Sequence, residues 1–262
     1  MPGLKRSLGA ALLIVALGVL AGCAAVTSFT ASSQYGGQSV RLRGELYRPV
    51  GPGPFPAVVL LHGCSGIKEN YRQWARLLSE WGYVAYVLDS LGPRGLGSVC
   101  NKRALSARAR SVDAYDAKAY LAGLPHVRAD SIGLMGWSHG GIAALWAADP
   151  ATLRTGDSFQ AYIALYPGCW LHMTGLRAPL LILAGARDDW TPAAHCQALA
   201  QALATRAGPP VTIKVYPQAT HAWDRDRPPR YYQGHRLEYD PVATSDSQKM
   251  VREFLGRYLR GR

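Results

Sequence analysis

Short apolar runs alternate with amphipathic segments along most of the chain, and this alternation predicts strands joined by helices. The runs are continuously apolar and largely β-branched, as expected for parallel strands covered on both faces. They lie at 57–61, 83–88, 132–135, 161–166, 180–184 and 211–216. Helical periodicity is found at 70–81, 105–124, 142–148, 193–205 and 248–259. The order predicts an α/β fold with a doubly wound, mostly parallel sheet flanked by helices.

Two segments depart from that pattern. Residues 40–47 alternate polar and apolar positions, which favours an antiparallel edge strand ahead of the parallel core. Residues 224–244 form the one long irregular stretch, and a loop of that length in a compact domain is usually functional. We therefore treat residues 224–244 as a candidate lid.

The amino-terminal pattern predicts export from the cell interior. A Lys-Arg pair precedes the apolar stretch 8–20, which is shorter than the roughly 20 residues that a membrane-spanning helix needs. The stretch ends in Leu20-Ala21-Gly22-Cys23, which resembles the lipobox of bacterial lipoprotein precursors. Residues 1–22 are then a signal peptide, and the thiol of Cys23 accepts a diacylglyceryl group. An ordinary secretory peptide and a buried helix are the alternatives.

The lipoprotein interpretation divides the rest of the chain in two. Residues 23–38 are expected to form a lipidated flexible tether, and residues 39–262 the catalytic domain. Two or three acyl chains would hold the protein on a membrane. The residue after Cys23 is Ala24 and not an Asp, which would be a signal for retention in the inner membrane. In this the chain resembles lipoproteins sorted to the outer membrane of Gram-negative bacteria. We expect a cell-envelope protein, on the outer membrane and facing the periplasm.

Charge and residue clustering restrict the class of partner. The chain has 29 Lys and Arg against 17 Asp and Glu, a formal net charge of +12. The basic residues occur mostly singly or in pairs, without long runs or interleaved aromatic residues, so we expect no nucleic-acid binding. The expected partners are a small-molecule substrate and, through the lipid anchor, a membrane.

The cysteine count agrees with export. Four cysteines remain after Cys23, namely Cys64, Cys100, Cys169 and Cys196. An even number in an oxidising compartment predicts two disulfides, of which sequence alone allows three connectivities. We favour Cys64 with Cys100 and Cys169 with Cys196, because each pair lies on loops at the same end of the expected sheet. No C-x-x-C or H-x-x-x-H spacing supports a metal site, so neither a metal nor another cofactor is expected.

The strongest chemical motif is Gly136-Trp137-Ser138-His139-Gly140, which follows one predicted strand and precedes a helix. G-x-S-x-G in this strand-turn-helix context predicts a sharp turn that exposes the Ser138 hydroxyl as a nucleophile. A Cβ at either flanking glycine is expected to collide with the neighbouring strand or helix. A glycine-rich turn without catalytic function is the alternative.

A nucleophilic serine needs a base and an acid that orients it, in the chain order Ser, acid, His. Asp188 and Asp189 follow the strand at 180–184, and His221 follows the strand at 211–216. Both loops lie at the carboxyl edge of the predicted sheet, where open α/β folds bind ligands. His221 is the expected base, and one of the two aspartates is the expected acid.

An oxyanion loop is predicted after the first buried strand. His62-Gly63-Cys64-Ser65-Gly66 resembles the H-G-x-x-G loop that supplies a backbone N–H to a developing oxyanion. The N–H groups of Cys64 and of His139, which follows the nucleophile, are the expected donors.

Together these motifs resemble those of α/β-hydrolases of the dienelactone hydrolase family. The similarity covers about residues 40–260 and rests on the segments 62–66, Asp89 with 93–95, 136–141, 185–192 and 221–223. The family's G-x-x-D spacing implies that Asp188, not Asp189, is the acid. Dienelactone hydrolases proper carry a cysteine where this chain has Ser138, so ester hydrolysis is expected in preference to action on dienelactones.

Four further residues are candidates for substrate contact. Arg94 follows a strand end and suits an anionic substrate, although an ion pair with a neighbouring acid explains it equally well. Trp137, Trp190 and Trp223 lie on the motif loops, where the walls of an acyl pocket are expected, but core packing explains each nearly as well.

The sequence thus predicts a serine hydrolase that cleaves carboxylic esters or lactones through an acyl-enzyme. A serine peptidase or acyl-peptide hydrolase could use the same three residues. The alternative outside catalysis is a lipid-anchored binding protein on a hydrolase scaffold that has lost activity, since a fold alone does not confer function.

Overall fold

An eight-stranded, mostly parallel sheet forms the centre of the protein, as the sequence predicted. The computed structural model describes residues 24–31, 39–101, 104–152 and 157–260. The sheet strands are β1 Ala25–Thr30, β2 Arg41–Tyr47, β3 Phe55–Leu61, β4 Val84–Asp89, β5 Val127–Trp137, β6 Tyr162–Leu165, β7 Leu180–Gly185 and β8 Val211–Tyr216. Their order in the sheet is β1-β2-β4-β3-β5-β6-β7-β8. The pairs β1-β2 and β2-β4 are antiparallel, and the remaining pairs are parallel.

Within the described residues, five α-helices cover the two faces of this sheet. They are α1 Glu69–Glu80, α2 Ala107–Ala122, α3 His139–Ala148, α4 Ala193–Ala204 and α5 Pro241–Leu255. Helices α2, α3 and α4 pack in one buried apolar cluster, and α1 and α5 pack in the other. Two cores on opposite faces are what a doubly wound sheet requires, because its central strands bury both sets of side chains.

The first strand lies within the segment expected to be a flexible tether, so that expectation is wrong for residues 25–30. The strand β1 pairs along its whole length with β2, and the ring of Phe29 stacks on that of Tyr120 at 5.0 Å between centroids. Its presence also makes β2 the second strand rather than the predicted edge strand. Cys23 and the predicted signal peptide lie outside the described residues.

The segment 224–244 is more ordered than the predicted irregular loop. It contains a short antiparallel hairpin formed by β9 Arg230–Tyr232 and β10 His235–Leu237. It also contains the start of α5, which the periodicity placed at residue 248. Asp240 caps that helix by accepting from the N–H groups of Val242 and Ala243, and Pro241 occupies the first turn.

The structure contains both disulfides in the pairing that we favoured, Cys64–Cys100 and Cys169–Cys196. The first bridge joins the loops that follow β3 and β4, at the carboxyl edge of the parallel strands, whereas the second joins the loop after β6 to Cys196 in the first turn of α4, which the sequence placed on a loop. No helix within the described ranges is long and apolar enough to cross a membrane.

Candidate active site

Ser138 occupies a strained turn between β5 and α3. Its φ of 52° and ψ of −118° lie outside the regions that a residue with a side chain normally adopts. The turn is held by two backbone bonds, because the Ser138 N–H donates to Leu165 and the Ser138 carbonyl accepts from Ile142. The serine is thereby fixed at the amino end of α3, where the helix dipole favours negative charge.

The flanking glycines permit this turn, as the sequence predicted. A Cβ at Gly136 would lie 2.1 Å from the carbonyl oxygen of Gly140, within the following helix. A Cβ at Gly140 would lie 2.0 Å from the carbonyl oxygen of Leu61 at the end of β3. Both distances are far below van der Waals contact, so any larger residue would displace the turn from the sheet.

Three residues from separate loops converge at this turn in one hydrogen-bonded chain. The Nε2 of His221 lies 2.9 Å from the Oγ of Ser138, and the Nδ1 of His221 lies 2.8 Å from the Oδ2 of Asp188. His221 and Asp188 are 3% and 4% exposed, whereas Ser138 is half-buried and reachable from solvent. The arrangement is that of a nucleophile, a base and an orienting acid.

Thr191 completes the environment of the acid, and sequence reasoning missed it. Its N–H and that of Trp190 donate to Oδ1 of Asp188, and its hydroxyl donates to Oδ2 at 2.7 Å. Burial raises the pKa of Asp188, but the bonds from His221 and Thr191 outweigh burial and hold that pKa below its ordinary value. Asp188 is therefore a carboxylate at neutral pH. The sequence signal was a Thr three residues after the acid.

The predicted oxyanion loop passes directly beside Ser138. A Cβ at Gly63 would lie 3.7 Å from the Cβ of Ser138. The Gly63 N–H donates to the hydroxyl of Tyr71, and the Cys64 carbonyl accepts from Val99, which fixes the loop on both sides. Within the described ranges, the N–H groups of Cys64 and His139 have no protein acceptor, so both remain free to bind an oxyanion.

Three of the four proposed substrate contacts have structural roles instead. Arg94 forms a bidentate ion pair with Asp113 at 2.8 Å, which is the alternative that the sequence left open. Trp137 and Trp223 are fully buried in the core on the α1 and α5 face. Both rings are enclosed by core side chains, which removes their apolar surface from water.

Trp190 is the remaining candidate, and it does border the site. It is half-buried, and its ring lies 4.9 Å from the imidazole of His221 between centroids. On its other side it stacks on His235 of the β9-β10 hairpin at 4.7 Å and an interplanar angle of 11°. The hairpin and Trp190 together form an aromatic wall next to His221.

The hairpin is attached to the loop that carries the first disulfide. The Asn101 amide donates to Gln233 at 2.7 Å, and the Tyr232 hydroxyl contacts the Sγ of Cys100 at 3.8 Å. Cys100 is bonded to Cys64 of the oxyanion loop. The β9-β10 hairpin and the predicted oxyanion loop are thus connected through one disulfide.

Another buried carboxyl, Asp224, lies three residues after His221 and was not singled out in the sequence. It is 4% exposed and accepts from the Tyr166 hydroxyl at 2.7 Å and the Trp74 indole at 2.9 Å. The amide of Asn70 also donates to it, at 3.4 Å. Burial raises the pKa of Asp224 above its ordinary value and outweighs these three hydrogen bonds, which act to lower it.

Comparisons with known proteins agree with this architecture. A candidate carboxymethylenebutenolidase of Synechocystis sp. is 25% identical over 241 residues, covering 85% of this chain and 94% of that protein. Human dipeptidyl peptidase 8 is 27% identical over 243 residues, covering 76% of this chain but 26% of the peptidase. A candidate dienelactone hydrolase from Klebsiella pneumoniae has the same fold, with a TM-score of 0.68, 22% identity, and coverage of 89% of this chain and 100% of that one.

The family match spans the whole region that builds the site. The sequence model of the dienelactone hydrolase family matches residues 42–259, from β2 to the last turn after α5. That range contains the turn at Ser138, the loops that carry Asp188 and His221, and the predicted oxyanion loop. The chain belongs to the dienelactone hydrolase family.

Proposed function

We propose that this protein hydrolyses carboxylic esters or lactones, with Ser138 as nucleophile, His221 as general base and acid, and Asp188 as the group that orients His221. The observation that carries the proposal is the position of His221, whose two ring nitrogens contact Ser138 and Asp188 at 2.9 and 2.8 Å. A proton can therefore leave the serine hydroxyl while the resulting imidazolium is stabilised by a buried carboxylate.

Acylation begins when the Oγ of Ser138 attacks the ester carbonyl carbon and its proton passes to Nε2 of His221. The carbonyl electron pair moves to oxygen, and the N–H groups of Cys64 and His139 bind the oxyanion. When this tetrahedral intermediate collapses, the bond to the alkoxy oxygen breaks. His221 returns the proton to that oxygen, and the alcohol leaves.

Deacylation repeats these steps with water as the nucleophile. His221 removes a proton from water as the water oxygen attacks the acyl carbon, and the same two N–H groups bind the second oxyanion. The bond between the acyl carbon and the Oγ of Ser138 then breaks, and Ser138 regains its proton from His221. In a lactone, the alcohol and the acid are parts of one product molecule.

Serine labelling tests this function most directly. A fluorophosphonate should label the wild-type protein, and Ser138→Ala should abolish both labelling and p-nitrophenyl ester hydrolysis. Ser247→Ala is the matched control, since that buried hydroxyl donates to Thr244 within α5 and should be dispensable for activity. Labelling at full rate in Ser138→Ala would place the nucleophile elsewhere.

A substrate panel separates this function from its two alternatives. Esters, lactones and peptides that share an acyl group should show turnover of the first two classes with little peptide cleavage. Preferred peptide cleavage would favour a serine peptidase. A wild-type protein that neither reacts with fluorophosphonate nor turns over any ester would favour a binding protein on an inactive hydrolase scaffold.

We also propose that the protein is exported and anchored to the cell envelope through a lipid on Cys23. The lipobox-like sequence that ends at Cys23 supports this location, as do the two disulfides, which are typical of oxidising compartments outside the cytoplasm. Since β1 starts at Ala25, the catalytic domain would lie directly at the membrane surface, without the long tether that we expected.

A further inference from the structure

A buried arginine lies directly behind the proposed oxyanion site. Arg110 belongs to α2, and its side chain is fully buried. Its Nη2 donates to the carbonyl oxygen of His62 at 2.7 Å, and its Nη1 donates to the Nδ1 of His139 at 2.9 Å. His62 is the first residue of the predicted oxyanion loop and His139 follows Ser138, so one guanidinium contacts both segments that carry the expected donors.

This guanidinium has no carboxylate partner within the described ranges. The acid nearest to it along α2 is Asp113, and both oxygens of Asp113 are engaged by Arg94 at 2.8 Å. Taking an ion out of water is costly, and the cost is normally offset by an opposite charge. Arg110 instead donates to two neutral acceptors, and the carboxylates of Asp113 and Asp89 act on its charge without a direct hydrogen bond.

The protonation states of its neighbours fit this arrangement. Burial, and then the charge of Arg110, lower the pKa of His139 to about 4, so its ring is neutral and its Nδ1 can accept. His62 is likewise neutral, because burial and then the same charge hold its pKa well below the ordinary value. Burial lowers the pKa of Arg110 only to about 10, which leaves the guanidinium charged at neutral pH. Arg110 is therefore the charged member of this cluster.

We propose that Arg110 is a positioning residue for the oxyanion hole, which fixes the oxyanion loop and the start of α3 through His62 and His139, and that its buried charge stabilises the oxyanion. This inference rests on the proposed function, in which the N–H groups of Cys64 and His139 bind that oxyanion. The charge is preorganised and excluded from water, the condition under which electrostatic stabilisation of a transition state is strongest. The negative charge that develops in each tetrahedral step adds a favourable interaction with this guanidinium that is absent in the resting protein.

Three substitutions separate the geometry of Arg110 from its charge. Arg110→Met removes both, Arg110→Gln retains a donor without the charge, and Arg110→Lys retains the charge with a shorter reach. We expect kcat to fall by about 10²–10³-fold in Arg110→Met, as when an oxyanion donor is lost. The KM should change little, and Arg110→Lys should retain more activity than Arg110→Gln. Rates are expressed per active site titrated with a fluorophosphonate, so misfolded protein does not count.

Affinity for a trifluoromethyl ketone distinguishes this role from a general role in folding. The ketone carbon accepts the Oγ of Ser138, the serine proton goes to His221, and the ketone oxygen becomes an oxyanion in the same site. Its inhibition constant should rise across the three variants in parallel with the loss of kcat. The affinity for a neutral alcohol product should stay near the wild-type value.

Arg128→Met is the matched control, because Arg128 is a part-buried arginine that donates to the Leu259 carbonyl and to Ser131. It lies at the start of β5, whereas Ser138 follows the end of that strand, so its loss should lower stability without lowering kcat.

Wild-type kcat in Arg110→Gln or Arg110→Met would overturn the proposal, as would a loss of kcat with unchanged ketone affinity. If Arg110→Met does not fold, the Lys and Gln variants decide. A wild-type protein without fluorophosphonate labelling would instead indicate that the proposed function itself is wrong.

Discussion

The Oδ2 of Asp188 lies 2.8 Å from the Nδ1 of His221, whereas the neighbouring Asp189 faces the other way. Asp189 is exposed, and its carboxylate lies 3.3 Å from the Nδ1 of His235 on the hairpin. Two adjacent aspartates therefore have different environments, one inside the hydrogen-bonded chain and one on the rim of the site.

This difference predicts opposite outcomes for two conservative substitutions. Asp188→Asn should lower kcat by about 10⁴-fold, because an amide stabilises the wrong tautomer of His221 and cannot stabilise its imidazolium. Asp189→Asn should retain most activity, since it loses only a partly exposed contact. Steady-state ester hydrolysis measures both effects. A larger loss in Asp189→Asn would show that Asp189, and not Asp188, is the acid.

The two disulfides are expected to differ in their effect on catalysis. Replacing Cys64 and Cys100 with serine frees the oxyanion loop and its connection to the hairpin. We expect kcat to fall by up to about 10²-fold, the cost of a displacement near 1 Å at a reacting group. Stability should also fall, by about 2–4 kcal/mol.

The second disulfide provides the matched control for this experiment. Replacing Cys169 and Cys196 with serine should cost about 2–4 kcal/mol as well, yet leave kcat near the wild-type value at a temperature where both proteins are folded. Denaturant unfolding and ester kinetics on the two double variants measure these effects. An equal loss of kcat in both would show that the Cys64 bridge has no special relation to the oxyanion loop.

The tryptophans predict a contrast between specificity and stability. Trp190→Ala removes a half-buried wall of the site, so the KM for large acyl or alkyl groups should change while the free energy of unfolding changes little. Trp223→Ala empties a fully buried position and should cost about 3–5 kcal/mol. Ester chain-length series and urea unfolding test the pair. A Trp190→Ala protein with an unchanged chain-length profile would exclude this wall from substrate contact.

Asp224 predicts a pH-dependent stability difference with a definite sign. Because its pKa is raised in the folded state, Asp224 adds to the free energy of unfolding, and this contribution is fully present below the ordinary aspartate pKa of about 4. The contribution is lost as pH rises through the folded-state pKa. Asp224→Asn cannot ionise. Its free energy of unfolding, minus that of the wild type, should therefore increase from pH 4 towards pH 8.

Urea unfolding of both proteins across this range measures the difference, and contributions from other groups cancel. Asp226→Asn, at an exposed position on the same loop, should show a nearly constant difference. A difference for Asp224→Asn that is flat or falls with pH would mean that Asp224 is not a carboxyl destabilised by burial.

Cys23 predicts a change of location without a change of fold. Cys23→Ser should release the protein from membranes or leave the precursor uncleaved, because only a thiol can form the thioether. Esterase activity should survive, since β1 begins after this position. Membrane fractionation and metabolic labelling with a fatty acid decide the matter. A wild-type protein that is soluble and unlabelled in a host able to process lipoproteins would exclude the anchor.

The sequence alone determined the features that depend on local order. Continuous apolar runs indicate buried parallel strands, since both faces of such strands are covered, and the turn at Ser138 is recognisable because only glycine fits at positions 136 and 140. The acid and the histidine could be placed on the correct loops because parallel strands bring their carboxyl ends to one edge. Each of these signals lies within one short segment of the chain, so no knowledge of packing was needed to recognise it.

Only the tertiary structure decided which side chains face the site and what holds them there. Trp137 and Trp190 look alike in sequence, yet the first is fully buried and the second borders His221. Arg110 contacts residues 48 and 29 positions away, and Asp224 accepts from Trp74, 150 positions away. Such contacts carry no local periodicity, because burial and hydrogen bonding between distant segments depend on how the helices and strands pack.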